Sequence, residues 1–586
     1  MHKKLLAGVS YAVIGAGTWT LAASYGWSYL ANRAFEPLGW WHALQFYRSD
    51  LWSEILLAIS ALLAAVPFVC LTMLPWRMQG AFRRPFDGAP RPLQRGVTDN
   101  HGRARFGAAQ DLLRDFTPPA NRPGILIGAL GSQNNAPLLF DDPNKKGPAP
   151  HCQTIAGPGG DKSTSSITRL WHYRGPRVVL DPSNEIGPVM TEALQDEGYT
   201  VHTIGSGGAG LNVLDWLDPS HPDIDADIAT ATGHIFDEKG ARLKTGGGGG
   251  DPVWDTSARS LVNCLLSEMI FSDKTHTLIN LRNMLSVSDT RMTEVLDHIA
   301  QNSNSSVARF HANGLRDLHK SDRTWASVMF TVRAATQWLA NPAYAKIVSG
   351  NDLKTADILD PKTVVFVDLP LRTLIATPAI GRAVMGSLFN AVIHADGAGL
   401  AHRVLFELDE GALLGAMDEI ELCYVSGRKY GAIMHLILQS DSQLTNAWGK
   451  ERAGIIRSCC SWTSYNSIQD PDTAKRLSEA AGTYGVMARS TGDNTSTNKP
   501  WGLRLPSRSR GNVENEHEIK RNLLNADEIL RAPSEQMWVL AQNRPYVVAC
   551  ATAPFYKYPA VAGRMSGNRF NYRQHAVHVD ELEDTE

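Results

Sequence analysis

Three short apolar runs in this chain each end in an aspartate, at Val178–Asp181, Val364–Asp368 and Val404–Asp409. Continuous runs of Val, Leu and Phe are typical of strands that are buried on both faces. Helical stretches separate the runs, and this alternation predicts βαβ units around a parallel sheet, and therefore an α/β fold. Ligands of such sheets bind beyond the carboxyl ends of the strands, where the aspartates would lie.

The third run differs from the other two because a second carboxylate, Glu410, follows Asp409 directly. This is the pattern of a Walker B strand in an ATPase. In that interpretation Asp409 holds Mg²⁺, directly or through water. Glu410 orients and deprotonates the water that attacks the γ-phosphate of ATP. The alternative is a buried strand with a polar carboxyl-terminal edge.

A glycine-rich loop upstream resembles the other half of a nucleotide site. Cys152–Ala156 is predicted to be a strand, and a helical stretch runs to about Tyr173. The loop between them contains the predicted phosphate-binding residues Gly157, Gly159, Gly160, Asp161, Lys162, Ser163 and Thr164. Backbone N–H groups of such a loop face an anion, a lysine reaches the β- and γ-phosphates, and a serine hydroxyl binds Mg²⁺. These last two roles fall to Lys162 and Ser163.

The loop departs from the strict GxxxxGK[ST] spacing at two positions, Ala156 and Asp161. A carboxylate next to the phosphate lysine repels phosphate unless it points away or binds a cation. Aspartate does tolerate left-handed backbone angles better than most residues, so the loop shape can persist. The two interpretations are a variant but working P-loop, and a glycine turn or decayed nucleotide site.

Composition limits the possible partners. The chain has 586 residues and a net charge of −2, so several domains are expected and any contact with nucleic acid depends on local basic patches. The seven cysteines form no CxxC ladder and are predicted to be free thiols in a reducing compartment. No Cys/His spacing in the sequence supports a zinc site.

The first 80 residues are predicted to be a two-pass membrane anchor. Leu5–Leu30 and Ile55–Leu74 contain no Lys, Arg, Asp or Glu, and each is long enough to cross about 30 Å of hydrocarbon. A secretory signal peptide is the alternative for the first run. Basic residues at both outer flanks place both chain ends in the cytoplasm; they are Lys3, Lys4, Arg77, Arg83 and Arg84.

Composition also predicts the order of domains. The anchor covers 1–80, a linker 81–100, and a nucleotide-binding domain 101–253 and 346–560, interrupted by an all-helical insertion at 254–345. A C-terminal tail, acidic at its end, covers 561–586. The glycine run Gly246–Gly250 indicates a boundary, and Thr491–Asn515 is predicted to be a mobile loop because it is rich in Ser, Asn and Gly. Trp538–Ala541 and Tyr546–Ala551 are predicted to close the domain as a hairpin.

Five segments together resemble the TraG/TraD-type coupling proteins of type IV secretion and bacterial conjugation. The segments are His101–Ala108, Val178–Glu185, Val404–Gly415, Gln439–Leu444 and Leu523–Pro533. The second segment departs from the family motif at Ser183 and Asn184, where the family has lysine and glycine. The resemblance implies an inner-membrane ATPase with a RecA-like P-loop domain, which binds ATP and Mg²⁺ and forms hexameric rings around DNA.

The resemblance also implies roles and partners. Gln439 would sense the γ-phosphate, the alternative being an ordinary polar residue at a strand end. Arg428, in preference to Lys429, would be an arginine finger for the neighbouring subunit's site, the alternative being a solvated turn residue. The implied activity is ATP-driven movement of single-stranded DNA, or of DNA-linked or effector proteins, towards the secretion channel. The implied partners are inner-membrane secretion components and the relaxase or DNA-processing complex.

Two other functions compete with an active coupling ATPase. The first is a membrane docking receptor that binds secretion substrates and hydrolyses ATP poorly or not at all, and Asp161 favours it. The pair Asp409–Glu410 and Gln439 oppose it, because an inactive site has no chemical need for them. The second is a chromosomal DNA translocase, which the large helical insertion and the lack of a recognisable C-terminal winged-helix region oppose.

Overall fold

The computed structural model describes ten stretches of the chain. They are residues 16–17, 19–46, 50–65, 94–117, 124–144, 150–236, 252–272, 275–397, 400–498 and 507–567. The chain divides into two compact units between Gln94 and Arg95. The glycine run Gly246–Gly250 and the acidic end of the tail lie outside the described residues.

The N-terminal unit is helical where it is described. Residues 19–30 and 51–65 are helical, and helix α1, Gly39–Phe46, lies between them in the chain. A small core includes Trp27 and Trp40, and the Trp40 indole Nε1 donates a hydrogen bond to the carbonyl of Leu57 over 3.1 Å. No helix within the described residues is long and apolar enough to cross a membrane. Both predicted spans extend into residues outside the described part, and the two-pass anchor stays a prediction.

The C-terminal unit is built on one eleven-stranded mixed sheet. The strands in this unit are β1 (Ile125–Ala129), β2 (Leu138–Asp141), β3 (His151–Ala156), β4 (Arg177–Leu180), β5 (Thr200–Gly205), β6 (Thr363–Asp368), β7 (Val404–Asp409), β8 (Ala432–Leu438), β9 (Cys460–Asn466), β10 (Thr483–Asn498), β11 (Ser507–Asn522), β12 (Gln536–Ala541) and β13 (Val548–Ala551). The order in the large sheet is β2-β1-β13-β12-β9-β3-β8-β7-β4-β6-β5.

Seven neighbouring strands, from β9 to β5 in that order, are parallel, and the remaining four pair antiparallel at one side. Every residue of β3, β4, β7 and β8 is buried, as expected of parallel strands covered on both faces. The predicted α/β fold is therefore confirmed, and the sheet is mixed, with a parallel part of seven strands. The sequence analysis missed β1 and β9.

Helices cover both faces of the sheet. Those after α1 are α2 (Ala109–Asp115), α3 (Lys162–His172), α4 (Gly187–Asp196), α5 (Ile224–Ile235), α6 (Pro252–Phe271), α7 (Leu278–Leu285), α8 (Asp289–Asn302), α9 (Ser306–His319), α10 (Asp322–Thr336), α11 (Pro342–Ser349), α12 (Leu371–Ala376), α13 (Pro378–His394), α14 (Asp418–Tyr430), α15 (Asp441–Ser458), α16 (Pro471–Ala481), α17 (Ala526–Leu530) and α18 (Pro559–Ala562).

Alternate side chains of the central strands enter two different cores. Leu405 of β7 packs in the core with α3 and α4, whereas its neighbour Phe406 packs in the core with α5 and α13. The second core continues without a break into helices α6 to α10. The region predicted as an all-helical insertion is thus helical, and its buried side chains are continuous with one face of the sheet. Its boundaries, like those of the other domains, stay predictions.

The predicted hairpin is present. The predicted mobile loop is wrong for residues 491–498 and 507–515, which are strands, and residues 499–506 lie outside the described part. Strands β12 and β13 pair antiparallel, as expected. Strands β10 and β11 form a separate two-stranded antiparallel ribbon that pairs Thr483 with Asn522 and Asn498 with Ser507. Main-chain hydrogen bonds form such a ladder whatever the side chains are, so a polar composition did not reveal it.

Candidate nucleotide site

A cavity of about 590 Å³ lies at the carboxyl edge of the central parallel strands. Strand β3 leads into the glycine-rich loop and then α3, β7 ends at Asp409, and Gln439 follows β8. The lining residues are Gly159, Gly160, Asp161, Lys162, Ser163, Thr164, Pro182, Ser183, Glu185, Leu371, Asp409, Glu410, Leu413, Gln439 and Gln443. The fold therefore brings both predicted halves of the site to one cavity. Of the predicted loop residues, Gly157 does not line it.

The glycine-rich loop packs closely against the end of β9. A side chain at Gly157 would place its Cβ 2.1 Å from the carbonyl oxygen of Ser467, so only glycine fits there. The Asn466 amide Nδ2 donates a hydrogen bond to the Gly160 carbonyl over 2.7 Å. Gly159 has a φ of 71°, in the left-handed region. Asn466 and Ser467 thus support the loop, and the sequence analysis missed both.

Asp161 occupies a left-handed conformation, with φ 53° and ψ 31°. The Thr552 hydroxyl donates a hydrogen bond to its Oδ2 over 3.0 Å, and the Tyr556 hydroxyl donates one to its Oδ1 over 3.2 Å. Hydroxyl donors from the segment after β13 therefore hold both carboxylate oxygens. Aspartate was expected to tolerate left-handed backbone angles, and Asp161 adopts them.

The phosphate lysine and the predicted catalytic glutamate contact each other directly. Lys162 Nζ donates a hydrogen bond to Glu410 Oε1 over 3.1 Å. Gln439 Nε2 donates to the same oxygen over 2.6 Å, and Gln443 Nε2 lies 3.4 Å from Oε2. Lys162 and Glu410 are 14% and 17% exposed, so this contact is shielded from bulk water but open to the cavity. Of the five residues predicted to be catalytic, Lys162, Asp409, Glu410 and Gln439 line the cavity, and Arg428 does not.

Asp409 has the environment expected of a cation ligand. Its side chain is buried, and its Oδ1 has no hydrogen-bond partner in the part of the chain that the structure describes. Burial raises its pKa to about 7, an effect that Lys162 opposes and Glu410 reinforces. Ser163 lines the same cavity. A carboxylate and a hydroxyl oxygen are hard ligands of the kind that Mg²⁺ takes, so the predicted metal residues fit the ion.

A buried network beneath the cavity links the loop helix to the Walker B strand. Arg169 of α3 donates a hydrogen bond to Glu407 Oε1 over 2.6 Å, and His435 Nδ1 lies 2.6 Å from Oε2. Burial alone would raise the pKa of Glu407, but Arg169 and His435 lower it to about 2. The sequence analysis missed this network, although a glutamate inside an apolar strand signals a buried, paired charge.

Asn184 stands where the family motif has glycine, and like Asp161 it has a left-handed backbone conformation. Asn184 has a φ of 52°, and asparagine is among the few non-glycine residues that adopt left-handed angles readily. Asp181 is buried and accepts hydrogen bonds from the backbone N–H groups of Ile186 and Gly187 over 2.8 and 2.9 Å. The aspartate that ends this strand therefore caps the start of α4.

Arg428 lies apart from the cavity. It is in the last turn of α14, which leads into the amino end of β8, whereas the cavity is at the carboxyl end. Its carbonyl accepts a hydrogen bond from Arg403 Nη1 over 2.7 Å. Lys162 is the one basic side chain among the described residues that line the cavity. The arginine-finger role of Arg428 stays a prediction.

Comparisons with known proteins identify relatives across most of the chain. A family model described as "Type IV secretory system Conjugative DNA transfer" matches residues 110–577. "Type IV secretion system-coupling protein VirD4" of Bartonella henselae is 33% identical over 479 residues, which is 80% of this chain and 71% of that protein. "Conjugal transfer protein TraG" of Agrobacterium fabrum is 30% identical over 500 residues, 80% of this chain and 72% of that protein.

The solved structures show the same fold in the plasmid coupling protein TrwB. A complex of TrwB with ADP and Mg²⁺ superposes with a TM-score of 0.55 at 15% identity, covering 80% of this chain and 96% of that one. An unbound form of TrwB gives a TM-score of 0.54 at 14% identity, covering 80% of this chain and 95% of that one.

Proposed function

Since this chain belongs to the type IV secretory family of conjugative DNA transfer and is a coupling protein of such a system, we propose that it is an ATP-driven motor. It hydrolyses ATP to move single-stranded DNA, and proteins linked to that DNA, from the DNA-processing complex towards the channel. It acts as a homo-oligomer, a hexameric ring, at the inner membrane. One observation carries this proposal: Lys162, Glu410 and Gln439 meet at a single cavity beside the glycine-rich loop.

The loop and the start of α3 bind the triphosphate. Backbone N–H groups at a helix N-terminus favour an anion because they are unsatisfied and positively polarised. Lys162 adds a full charge, and its Nζ leaves Glu410 for the β- and γ-phosphates. The Asp161 carboxylate is kept from that anion by Thr552 and Tyr556. The variant loop is therefore compatible with phosphate binding.

Asp409 and Ser163 would hold Mg²⁺, which offsets phosphate charge when it is bound. Glu410 then acts on the attacking water as the general base. Gln439, 2.6 Å from Glu410 Oε1, orients that carboxylate and donates towards the γ-phosphate. Arg428 of a neighbouring subunit would supply the second cation that the described lining residues lack. The role of Arg428 requires the ring, so full activity depends on assembly.

A docking receptor without hydrolysis is the second candidate, because Asp161 stands where the strict motif has glycine. DNA transfer from donor cells distinguishes the two. Donor cells that carry the other components of the secretion system but lack this chain receive the chain or its Glu410→Gln variant. The motor requires hydrolysis, so the variant is expected to abolish transfer at equal membrane levels. Undiminished transfer by the variant would favour the receptor.

A further inference from the structure

The fold places two histidines and an aspartate together on the side of the C-terminal unit away from the candidate nucleotide cavity. His221 lies just before α5, Asp227 in its first turn, and His394 at the last residue of α13. One donor atom from each lies within 4.8 Å of the other two. Because α13 connects two parallel strands, its end lies at the amino edge of the sheet. The cluster is thus remote from the carboxyl edge where the cavity lies.

The donor separations suit a single small cation. His394 Nε2 lies 3.1 Å from Asp227 Oδ1, and His221 Nδ1 lies 3.2 Å from Asp227 Oδ2. A zinc ion with bonds of about 2.0–2.2 Å requires neighbouring ligands at roughly this spacing. The two imidazole rings stack with their centroids 4.5 Å apart, and each has a nitrogen close to the same carboxylate.

The described residues satisfy only one of the two carboxylate oxygens of Asp227. Its side chain is 13% exposed, and within the described residues nothing donates a hydrogen bond to Oδ2. The facing His221 Nδ1 lies 3.2 Å from that oxygen and is also 3.3 Å from the backbone nitrogen of Asp223. A cation between His221 and Asp227 would give Oδ2 the partner that it lacks among the described residues.

The surroundings hold the ligands in place and favour positive charge. The Trp216 ring packs edge-on against His394, with centroids 5.3 Å apart. His394 ends a helix, where the helix dipole favours a cation. Asp218, Asp223 and Asp225 are close to the ligands in sequence. Two imidazoles and one carboxylate, with a position open to water, form a donor set that zinc uses in proteins.

We propose that His221, Asp227 and His394 bind one Zn²⁺ ion per chain. The ion joins the start of α5 to the end of α13, at the base of the helices that follow α5. The ligands lie far apart in sequence, 221 to 394, which is why no Cys/His spacing predicted a zinc site. Binding is independent of ATP hydrolysis, so it is measured directly.

The test is calorimetric titration of ZnCl₂ into the full-length, untagged protein after treatment with a chelator. One site per chain is expected. His394→Gln and Asp227→Asn should each weaken that site by more than about tenfold. His298→Gln is the matched control, because His298 is on α8 and bonds to Asn302, and it should leave the site unchanged. Absence of a site in the unmodified protein, or equal affinity in all variants, would overturn the proposal.

X-ray absorption at the zinc edge provides a test that does not depend on folded variants. The unmodified protein loaded with one equivalent of Zn²⁺ is expected to show scattering from two imidazole rings and oxygen ligands. Sulfur ligation would assign the ion to cysteines, and ligation by oxygen alone would assign it to surface carboxylates. Either of these results contradicts the proposed site.

Discussion

The Thr552 hydroxyl donates a hydrogen bond to Oδ2 of Asp161 over 3.0 Å, between residues that are 391 positions apart in the chain. This contact restrains an aspartate that stands next to the predicted phosphate-binding lysine, Lys162. Tyr556 holds the other oxygen, and the left-handed backbone at Asp161 keeps the turn that glycine usually makes. The departure from the P-loop pattern is thus compensated from a distant segment.

Loss of the Thr552 hydroxyl should weaken ATP binding. In Thr552→Val the Asp161 carboxylate loses a donor and is free to turn towards the phosphates. We expect the KM for ATP to rise roughly fivefold, which corresponds to about 1 kcal/mol, with little change in kcat. Ser461→Ala is the control, since its hydroxyl bonds to Asp141 and no part of Ser461 lines the cavity. Equal KM values for the two variants would show that Thr552 does not restrain Asp161.

Replacing the predicted general base should separate binding from hydrolysis. Glu410→Gln keeps the side-chain shape and removes the basic oxygen, so we expect kcat to fall by at least about 100-fold. Binding of a non-hydrolysable ATP analogue should be retained. In the variant, Lys162 has no ion pair with a carboxylate to break before it contacts the phosphates. Steady-state turnover and equilibrium binding on the same preparation test this. Hydrolysis that persists in the variant would rule out the role of Glu410.

Binding of the Mg²⁺–nucleotide complex should depend on pH through Asp409. Its folded-state pKa is raised from 3.8 to about 7, so without a cation stability falls as pH rises from about 4 to 7. A bound Mg²⁺ requires the ionised form. We therefore expect affinity for the complex to be roughly tenfold weaker near pH 6 than near pH 8.

Asp409→Asn is the control for this pH effect. The nucleotide's own titration is common to both proteins, and only the contribution of Asp409 disappears in the variant. An unchanged pH profile in Asp409→Asn would mean that another group causes the dependence. The measurement is equilibrium binding of a non-hydrolysable analogue at fixed Mg²⁺.

The buried ion pair beneath the cavity should contribute strongly to stability. Glu407→Gln leaves the Arg169 guanidinium buried without its carboxylate, and breaking such a pair costs about 3–5 kcal/mol. The exposed pair Arg291–Glu294 gives the control, because Glu294→Gln should cost less than about 1 kcal/mol. Denaturant titrations of the full chain compare the two. An equal loss of unfolding free energy in Glu407→Gln and Glu294→Gln would show that the buried Arg169–Glu407 pair stabilises the fold no more than the exposed pair.

The lowered pKa of Glu407 also predicts how the free energy of unfolding changes at acid pH. Its folded-state pKa is lowered from 4.5 to about 2. The stability that the ionised Glu407 contributes is therefore fully present above about pH 4.5 and is lost as the pH falls towards 2. The pH dependence between these values should be shallower in Glu407→Gln than in the unmodified chain. Parallel profiles would assign the acid transition to other carboxylates.

Arg428 should act between subunits. A mixture of Arg428→Ala and Lys162→Ala chains contains interfaces where an intact Lys162 site faces an intact Arg428. We expect each variant to be inactive alone and the mixture to recover part of the ATP hydrolysis. Lys429→Ala, at the neighbouring position, should stay active by itself. A mixture as inactive as its components would contradict an arginine finger at Arg428.

Local patterns predicted much of the sheet and the two halves of the site. Strands β4, β6 and β7 were visible because both faces are buried, which makes each run continuously apolar. Strand β9 was missed because Cys460–Asn466 mixes polar residues with Trp462 and Tyr465. The support of Asp161 by Thr552 and Tyr556 depends on tertiary contacts that no local pattern carries. The cluster of His221, Asp227 and His394 is hidden for the same reason.

Steady-state ATP hydrolysis by the assembled full-length chain, with and without single-stranded DNA, tests most directly whether the variant loop is a working P-loop. Asp161→Gly and Lys162→Ala are measured beside it. We predict that the unmodified chain hydrolyses ATP, that DNA stimulates it, that Asp161→Gly remains active, and that Lys162→Ala abolishes the activity. A silent unmodified chain beside an active Asp161→Gly would show that Asp161 blocks the site and would contradict the motor.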